Sequence, residues 1–361
     1  MDPGWPGRRV AVVGAGVSGV AAARHLLALG AAVTVLDAAD GPRQRAAAAE
    51  LARQGARVRL GGLPPVPDGV DLVVTSPGVP PSTPFVANAR VPVWGEAELA
   101  WRLTAGTTWL VVTGTNGKTT TTRMLGAILA AAGRRAATAG NIGTPLVDAV
   151  TAEPPYEVLA VELSSFQLHY ASTPVPFAAA VLNVAPDHLD WHGDLAAYAA
   201  AKAKAWADPG TIAIGNADDE GSRSLLAAAP GRRVTFGLSP TADLAVVDGV
   251  LVDRAFGGGP LLAAAELAVP GPHNLANALV AAALARAYGV GVQAVRDGLV
   301  GVRAGAHRNA PVATAGGVAY VDDSKATNPH AAAASLAAYP RVVWIAGGLN
   351  KGLGFDDLVR G

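Results

Sequence analysis

Short apolar runs bounded by glycine alternate with longer amphipathic stretches along this chain, the rhythm of strands and helices in an α/β protein. Arg9 to Val13 is valine-rich and too short for a helix, so it predicts a buried strand. The turn Gly14-Ala15-Gly16-Val17-Ser18-Gly19 follows, then a helical stretch from Val20 to Leu29 and a strand from Ala32 to Leu36 that ends at Asp37. This is a dinucleotide-type βαβ unit. Val70 to Thr75 predicts a further strand closing at Ser76-Pro77-Gly78, with proline-rich stretches around it.

After a boundary near Ala105-Gly106 the pattern restarts with a strand from Trp109 to Val112 and a helix from Thr121 to Ala131. Strands at Val158 to Glu162, Ala179 to Asn183 and Thr211 to Gly215 then alternate with helices, one of them the alanine-rich stretch Leu195 to Ala207. Arg233 to Asp253 departs from this rhythm. Its short strands and the Asp248-Gly249 turn predict a small antiparallel flap on a parallel sheet. His273 to Tyr288 predicts a helix, and a third segment begins near Val302, with a hairpin through Gly316-Gly317 and a strand from Val342 to Ala346.

Composition narrows the function. A length of 361 residues suits two or three domains, and 51% hydrophobic with 5% aromatic residues implies cores of Ala, Val and Leu. A formal net charge of +0 with 16% charged residues argues against a nucleic-acid footprint, and no basic amphipathic helix suggests a membrane surface. Small anionic ligands fit better. The absence of cysteine excludes a disulfide scaffold and a thiolate metal site, which suits a cytoplasmic enzyme. No apolar run reaches membrane-spanning length, and Met1 to Gly7 lacks the order of a signal peptide.

The strongest chemical signal is Thr113-Gly114-Thr115-Asn116-Gly117-Lys118-Thr119-Thr120 between a strand and a helix. Such a loop cradles phosphate. Backbone N–H groups and the helix dipole converge on one spot, while Lys118 supplies a cation and the Thr119 hydroxyl a metal ligand. The loop is shorter than the usual P-loop, since its first glycine is Gly114. The earlier turn, with Asp37 about where a ribose-binding acid would stand, has the form of an NAD fingerprint; a glycine turn, however, accepts any pyrophosphate, a UDP-sugar included.

Other candidates follow strand ends. Glu162, in VELSSFQL, lies at the edge where an open α/β sheet places ligands and can hold Mg²⁺. His188 stands between Asp187 and Asp190 in NVAPDHLD, a set suited to a metal or phosphate role or to an ordinary polar loop. Lys202 and Lys204 follow Tyr198, and helical spacing puts Tyr198 and Lys202 on one face; solvated lysines are the plain alternative. His307-Arg308 and Asp322 to Asn328 offer charges suited to closing over a triphosphate, and Gly347 to Gly352 reads as another glycine turn near an anion.

Taken in order and spacing, GAGVSG, SPGV, TGTNGKTT, GNIG, VELSSFQL, NVAPDHLD, YAAAK, HNLANA, HR and DDSKATN resemble the Mur ligases, ATP-dependent enzymes that add amino acids to the peptidoglycan precursor. The resemblance runs from about Val10 to the C-terminus. SSFQL, NIG and DSKATN are similar to the branch that joins D-glutamate to UDP-N-acetylmuramoyl-L-alanine. It implies an N-terminal Rossmann-like UDP-binding domain (1–105), a central P-loop-type ATPase α/β domain with the antiparallel flap (106–301), and the start of a third, amino-acid-binding α/β domain (302–361), expected to be truncated. A monomer in the cytoplasm is expected.

The resemblance also assigns residues. Gly14, Gly16, Val17, Ser18, Asp37, Ser76 and Gly78 would face the UDP portion, and Asn141, Gln167 and His188 the muramoyl-alanine path. Gly114, Thr115, Asn116, Gly117, Lys118, Thr119 and Thr120, with Asn274, Asn277, Arg308, Asp323 and Lys325, would bind ATP; Thr327 and Lys351 would lie near D-glutamate. Lys118, Glu162, His188 and Lys202 would be catalytic. In the family the lysine matching Lys202 is carbamylated, so Thr119, Glu162, His188 and that carbamate would serve two Mg²⁺ sites. Two other classes share parts of this set. A nucleotide-binding switch or transport ATPase needs the phosphate loop alone, and an NAD-dependent oxidoreductase needs the first turn with Asp37.

Overall fold

A computed structural model describes residues 4–269, 271–303, 305, 307–347, 358 and 360. Sixteen strands occur among them: β1 Arg9–Val13, β2 Ala32–Asp37, β3 Arg57–Leu60, β4 Leu72–Thr75, β5 Val93–Gly95, β6 Thr108–Thr113, β7 Ala136–Gly140, β8 Val158–Glu162, β9 Ala178–Val181, β10 Ile212–Asn216, β11 Arg233–Phe236, β12 Leu244–Val247, β13 Val250–Asp253, β14 Gly259–Ala263, β15 Ala310–Ala315 and β16 Val318–Asp322. The first five form a parallel sheet in the order β3-β2-β1-β4-β5. The order reverses between β1 and β4, so a crevice opens at their C-terminal ends, where Gly14 and Ser76 stand. Ala11, Val13, Leu36, Val73 and Phe85 pack beneath it as a core cluster. Burying a leucine or phenylalanine of this kind stabilises the fold by roughly 1.5–3 kcal/mol.

The later strands include the runs β14-β13-β12-β11-β10-β9 and β8-β7. The chain divides into two compact units: Met1–Val111, Ala136–Pro176 and His188–Ala207 in the first, and Val112–Arg135, Phe177–Asp187 and Asp208–Gly361 in the second. In the first, β7 and β8 pair in parallel, Gly140 opposite Glu162. In the second, β9 to β12 run parallel, and β12, β13 and β14 turn antiparallel. The antiparallel flap expected over Arg233 to Asp253 instead spans Leu244 to Ala263, since Arg233–Phe236 still pairs in parallel; at its Asp248-Gly249 turn both residues adopt positive φ, 48° and 74°, as a tight hairpin requires. The Gly316-Gly317 hairpin forms likewise from β15 and β16.

Helix starts lie earlier than expected. The helices are Val17–Ala28 and Lys118–Ala131, because their first turns, Val17-Ser18-Gly19 and Lys118-Thr119-Thr120, carry no apolar period to read. The alanine-rich helix ends at Ala203, and Lys204–Trp206 tightens into a 3₁₀ turn. One strand is absent. Val342 to Ala346 takes no regular structure, and Val343 and Ile345 are 94% and 92% exposed. An apolar run becomes a strand only when a neighbour completes its hydrogen-bond ladder, and none does so among the described residues.

Candidate functional site

In the second unit, the end of β6 delivers the chain into the phosphate loop, and Gly117 caps the Lys118–Ala131 helix with φ at 85°. A Cβ at Gly117 would stand 2.6 Å from Asn277 Oδ1, so only glycine suits the position. The N–H groups of Thr115 and Asn116 do not face a ligand. They donate to the carbonyl oxygen and Oδ1 of Asn183, at 3.0 and 2.8 Å. The helix's own first-turn donors, Thr119 and Thr120 among them, have no intrahelical acceptor and remain the groups suited to phosphate. Lys118 Nζ folds back on its loop, donating to the carbonyls of Gly114 and Thr115 at 2.9 Å each.

Several expected nucleotide residues gather at this loop. Arg308 Nη2 donates to Thr119 Oγ1 at 3.0 Å. Asn274 and Asn277 are buried and bonded to each other, and Thr121 Oγ1 donates to Asn277 Oδ1 at 3.1 Å, so Asn277 ties its helix to the loop helix. Asp323 Oδ1 accepts the N–H of Asn309 at 2.9 Å. Lys325 and Thr327 are exposed in the same turn. Lys351, with the turn Gly348 to Gly352, lies outside the described residues.

In the first unit the glycine turn closes tightly. A Cβ at Gly19 would come within 1.8 Å of the Gly14 carbonyl oxygen, so glycine is obligatory there. Asp37 braces the turn: its Oδ2 accepts the Ala15 N–H at 2.6 Å and its Oδ1 the Ala39 N–H at 2.8 Å. A carboxylate so engaged is poorly suited to claim a ribose diol. Nothing crowds a Cβ at Gly16 or Gly78, and Val17 is 77% exposed. A cavity of about 620 Å³ opens beside Gly16 and Val17, lined also by Arg24, Arg43, Gln44 and Asp148, within the size range of small-ligand sites. Asp148 pairs with Arg24, whereas Arg43 has no hydrogen bond or ion pair among the described residues. Sequence reading missed Arg43, since an arginine near a helix start carries no period or motif.

Glu162 ends β8 as a buried carboxylate, 1% exposed. Its Oε1 accepts from Asn141 Nδ2 at 2.8 Å, while its Oε2 is buried without a hydrogen-bond partner. Gln167 is also buried, and its Oε1 completes a capping box with Ser164 at the start of the Ser165–His169 helix. His188 adopts left-handed backbone, φ 54°, with its ring 4.8 Å from Phe166. Lys202 is buried at 1% exposure, and its Nζ lies 4.2 Å from the Tyr198 ring centre, which bears out the shared helix face. Lys204 diverges, donating to the His169 carbonyl at 2.5 Å. His192 bonds Ser165 Oγ at 2.9 Å, and burial, then the charges of His169 and Lys202, push its pKa down to about 4. Among the described residues no three His, Cys, Asp or Glu side chains form a metal cluster by themselves.

Residues 112–285 match the model of the Mur ligase middle domain, and residues 8–93 that of the Mur ligase MurD-like N-terminal domain. The chain is 69% identical to the UDP-N-acetylmuramoylalanine--D-glutamate ligase of Frankia casuarinae, over 99% of this chain and 77% of that relative. The chain belongs to the Mur ligase family. Other Mur ligases of the same description include that of Thermobifida fusca, 55% identical over 98% of this chain and 80% of its own length. Among solved Mur ligases, MurC of Thermotoga maritima superposes with a TM-score of 0.53 at 24% identity, covering 91% of this chain and 77% of that one. MurF of Acinetobacter baumannii gives 0.57 at 20% identity, over 84% and 67%. At such identities these two share the fold. The Mur ligase family is ATP-dependent, and the MurD-like match over the glycine turn replaces the oxidoreductase alternative.

Proposed function

We propose that this chain joins D-glutamate to UDP-N-acetylmuramoyl-L-alanine at the expense of ATP, in peptidoglycan precursor synthesis. The observation that carries the reading is the 69% identity, across 99% of the chain, to a ligase of that description. We divide the work among a UDP-binding domain to residue 105, an ATP-binding domain over 106–301, and an amino-acid-binding domain opening at 302. No helix among the described residues is long and apolar enough to cross a membrane.

The substrate's terminal carboxylate attacks the γ-phosphorus of ATP, ADP leaves, and an acyl phosphate forms. The amine of D-glutamate then attacks the acyl carbon through a tetrahedral intermediate, inorganic phosphate departs, the nitrogen loses its proton, and an amide remains. Lys118 holds the phosphate oxygens once its Nζ leaves the Gly114 and Thr115 carbonyls. Arg308 swings from the Thr119 hydroxyl to the same oxygens, while Asp323 and Lys325 hold the nucleotide. Catalysis is chiefly orientation and charge.

The donor set fits magnesium. The partnerless Glu162 Oε2 is an anionic oxygen that burial would penalise unless a cation met it. Glu162, His188, Thr119 and a carbamate on Lys202 would hold the ions at two sites. CO₂ adds to the neutral Lys202 Nζ with loss of a proton, turning a cation into the carboxylate that the unmodified cluster lacks. When bound, Mg²⁺ supplies positive charge that offsets the phosphate oxygens.

Gly14, Gly16, Val17, Ser18, Ser76 and Gly78 present the pyrophosphate turn, and Asp37 keeps its shape. Asn141, Gln167 and His188 guide the muramoyl-alanine portion, and Thr327 and Lys351 receive D-glutamate. Phosphate release in the presence of UDP-N-acetylmuramoyl-L-alanine, with the amino acid varied, tests the reading. D-glutamate alone should stimulate it; equal stimulation by L-alanine or diaminopimelate would overturn the assignment.

A further inference from the structure

We propose that Asn116 and Asn328 form an amide latch that positions the His307–Asn328 segment on the phosphate loop, so that Asn328 sets nucleotide affinity without touching the nucleotide. The proposal takes from the ligase reading only that the loop binds ATP.

The backbone of Asn116 is fixed on both sides by one residue. Its N–H donates to Asn183 Oδ1 at 2.8 Å, and its carbonyl accepts from Asn183 Nδ2 at 3.2 Å. Only the side chain is left to reach outward. There Asn328 Nδ2 donates to Asn116 Oδ1 at 3.0 Å, Asn116 Nδ2 faces Asn328 Oδ1 at 3.4 Å, and His330 Nδ1 stands 3.2 Å from the same Asn116 nitrogen. The two asparagines are 212 residues apart in sequence. Asn328 is buried, and its Oδ1 also caps the Pro329–Leu336 helix through the Ala331 N–H at 2.8 Å. One side chain therefore fixes both a helix start and a loop contact.

The segment behind this latch carries Arg308, Asp323 and Lys325. It touches the loop helix a second time, through Arg308 and Thr119. That second link is one a nucleotide must disturb, because phosphate and metal compete for a guanidinium and a hydroxyl. The amide pair is neutral and bonds in both directions, so phosphate gains little by displacing it. It can hold the register of the segment while Arg308 changes partner, and an ordered segment binds with less entropy left to lose.

The test is equilibrium binding of a fluorescent ATP analogue with Mg²⁺ to the full chain, with thermal unfolding beside it. Asn328→Ser keeps a helix cap of comparable quality, but its hydroxyl is too short for Asn116. Asn116→Ala cuts the latch from the other side and leaves the cap alone. Each should weaken binding about tenfold at a nearly unchanged melting temperature, and the double variant should be no weaker than either single one. Asn328→Asp, which caps and can still accept from Asn116, should fall between Ser and wild type. Wild-type affinity in N328S, or single effects that multiply in the double variant, would overturn the latch. Wild-type nucleotide binding without turnover stimulated by D-glutamate would sink the ligase reading and leave the latch standing. No nucleotide affinity in the wild type would sink both.

Discussion

Arg308 Nη2 donates a 3.0 Å hydrogen bond to Thr119 Oγ1, joining residues 189 apart in the chain. The hydroxyl suited to a magnesium ion is thus met by a fixed positive charge. On the proposed reading, metal and guanidinium cannot share that oxygen at close range, so nucleotide bound with its ion would redirect Arg308 toward phosphate, where its forked donors match the oxygens.

Arg308→Ala should therefore raise the KM for ATP by about tenfold to a hundredfold, the scale of one charge-assisted contact. Arg308→Lys should recover only part of it, because an ammonium lacks the fork. Steady-state kinetics at saturating UDP-N-acetylmuramoyl-L-alanine check this, and an unchanged KM in R308A would remove Arg308 from the nucleotide site.

Lys202→Ala should abolish ligase activity while the fold survives, with partial rescue by short carboxylates such as formate or acetate that replace the carbamate. Lys202 is fully buried against Tyr198, so the cavity left is small enough to receive such an ion. Full activity in the variant would count against the carbamate.

Glu162→Gln preserves the acceptor for Asn141 Nδ2 but removes the anion at the partnerless oxygen. Activity should fall by about two orders of magnitude or more, because the proposed Mg²⁺ that offsets charge on the transferring phosphoryl would lose an anionic ligand. The melting temperature without Mg²⁺ should hold or rise, since an uncompensated buried charge is gone. A melting temperature that dropped, with activity intact, would make Glu162 a structural residue.

Glu96 bears on stability rather than chemistry. It is buried in the first turn of the Glu96–Leu103 helix, and its Oε1 accepts the Val147 N–H at 3.0 Å. Burial raises its pKa from 4.5 to about 7, against the lowering effect of the Val147 and Leu146 N–H groups. The native state then binds more protons than the unfolded chain between those two values. Stability conferred by the protonated carboxyl is full below about 4.5, declines as pH rises, and is gone above about 7, a change of order 3 kcal/mol. Glu96→Gln should flatten that slope, so denaturant midpoints across pH 5 to 8 should fall in wild type more than in the variant. Parallel pH profiles would refute the assignment.

Wherever the signal is local, the sequence was enough. Arg9–Val13 and Val158–Glu162 form as strands at the predicted bounds because their apolar runs are short and flanked by turn residues. The Asp248-Gly249 and Gly316-Gly317 turns formed because few residue pairs tolerate positive φ. The phosphate loop, the glycine turn and the shared face of Tyr198 and Lys202 were legible for the same reason, since spacing along one element sets them.

Tertiary structure alone decided which distant polar groups met. Asn183 taking two loop N–H groups, Asp37 bracing Ala15, Asn328 reaching Asn116, and one oxygen of Glu162 left bare depend on strands and turns far apart in sequence. No period encodes such pairs. The exposed Val342 to Ala346 shows the same limit from the other side: a short apolar run gives a segment the capacity to be a strand, and only a neighbour supplies the ladder that makes it one.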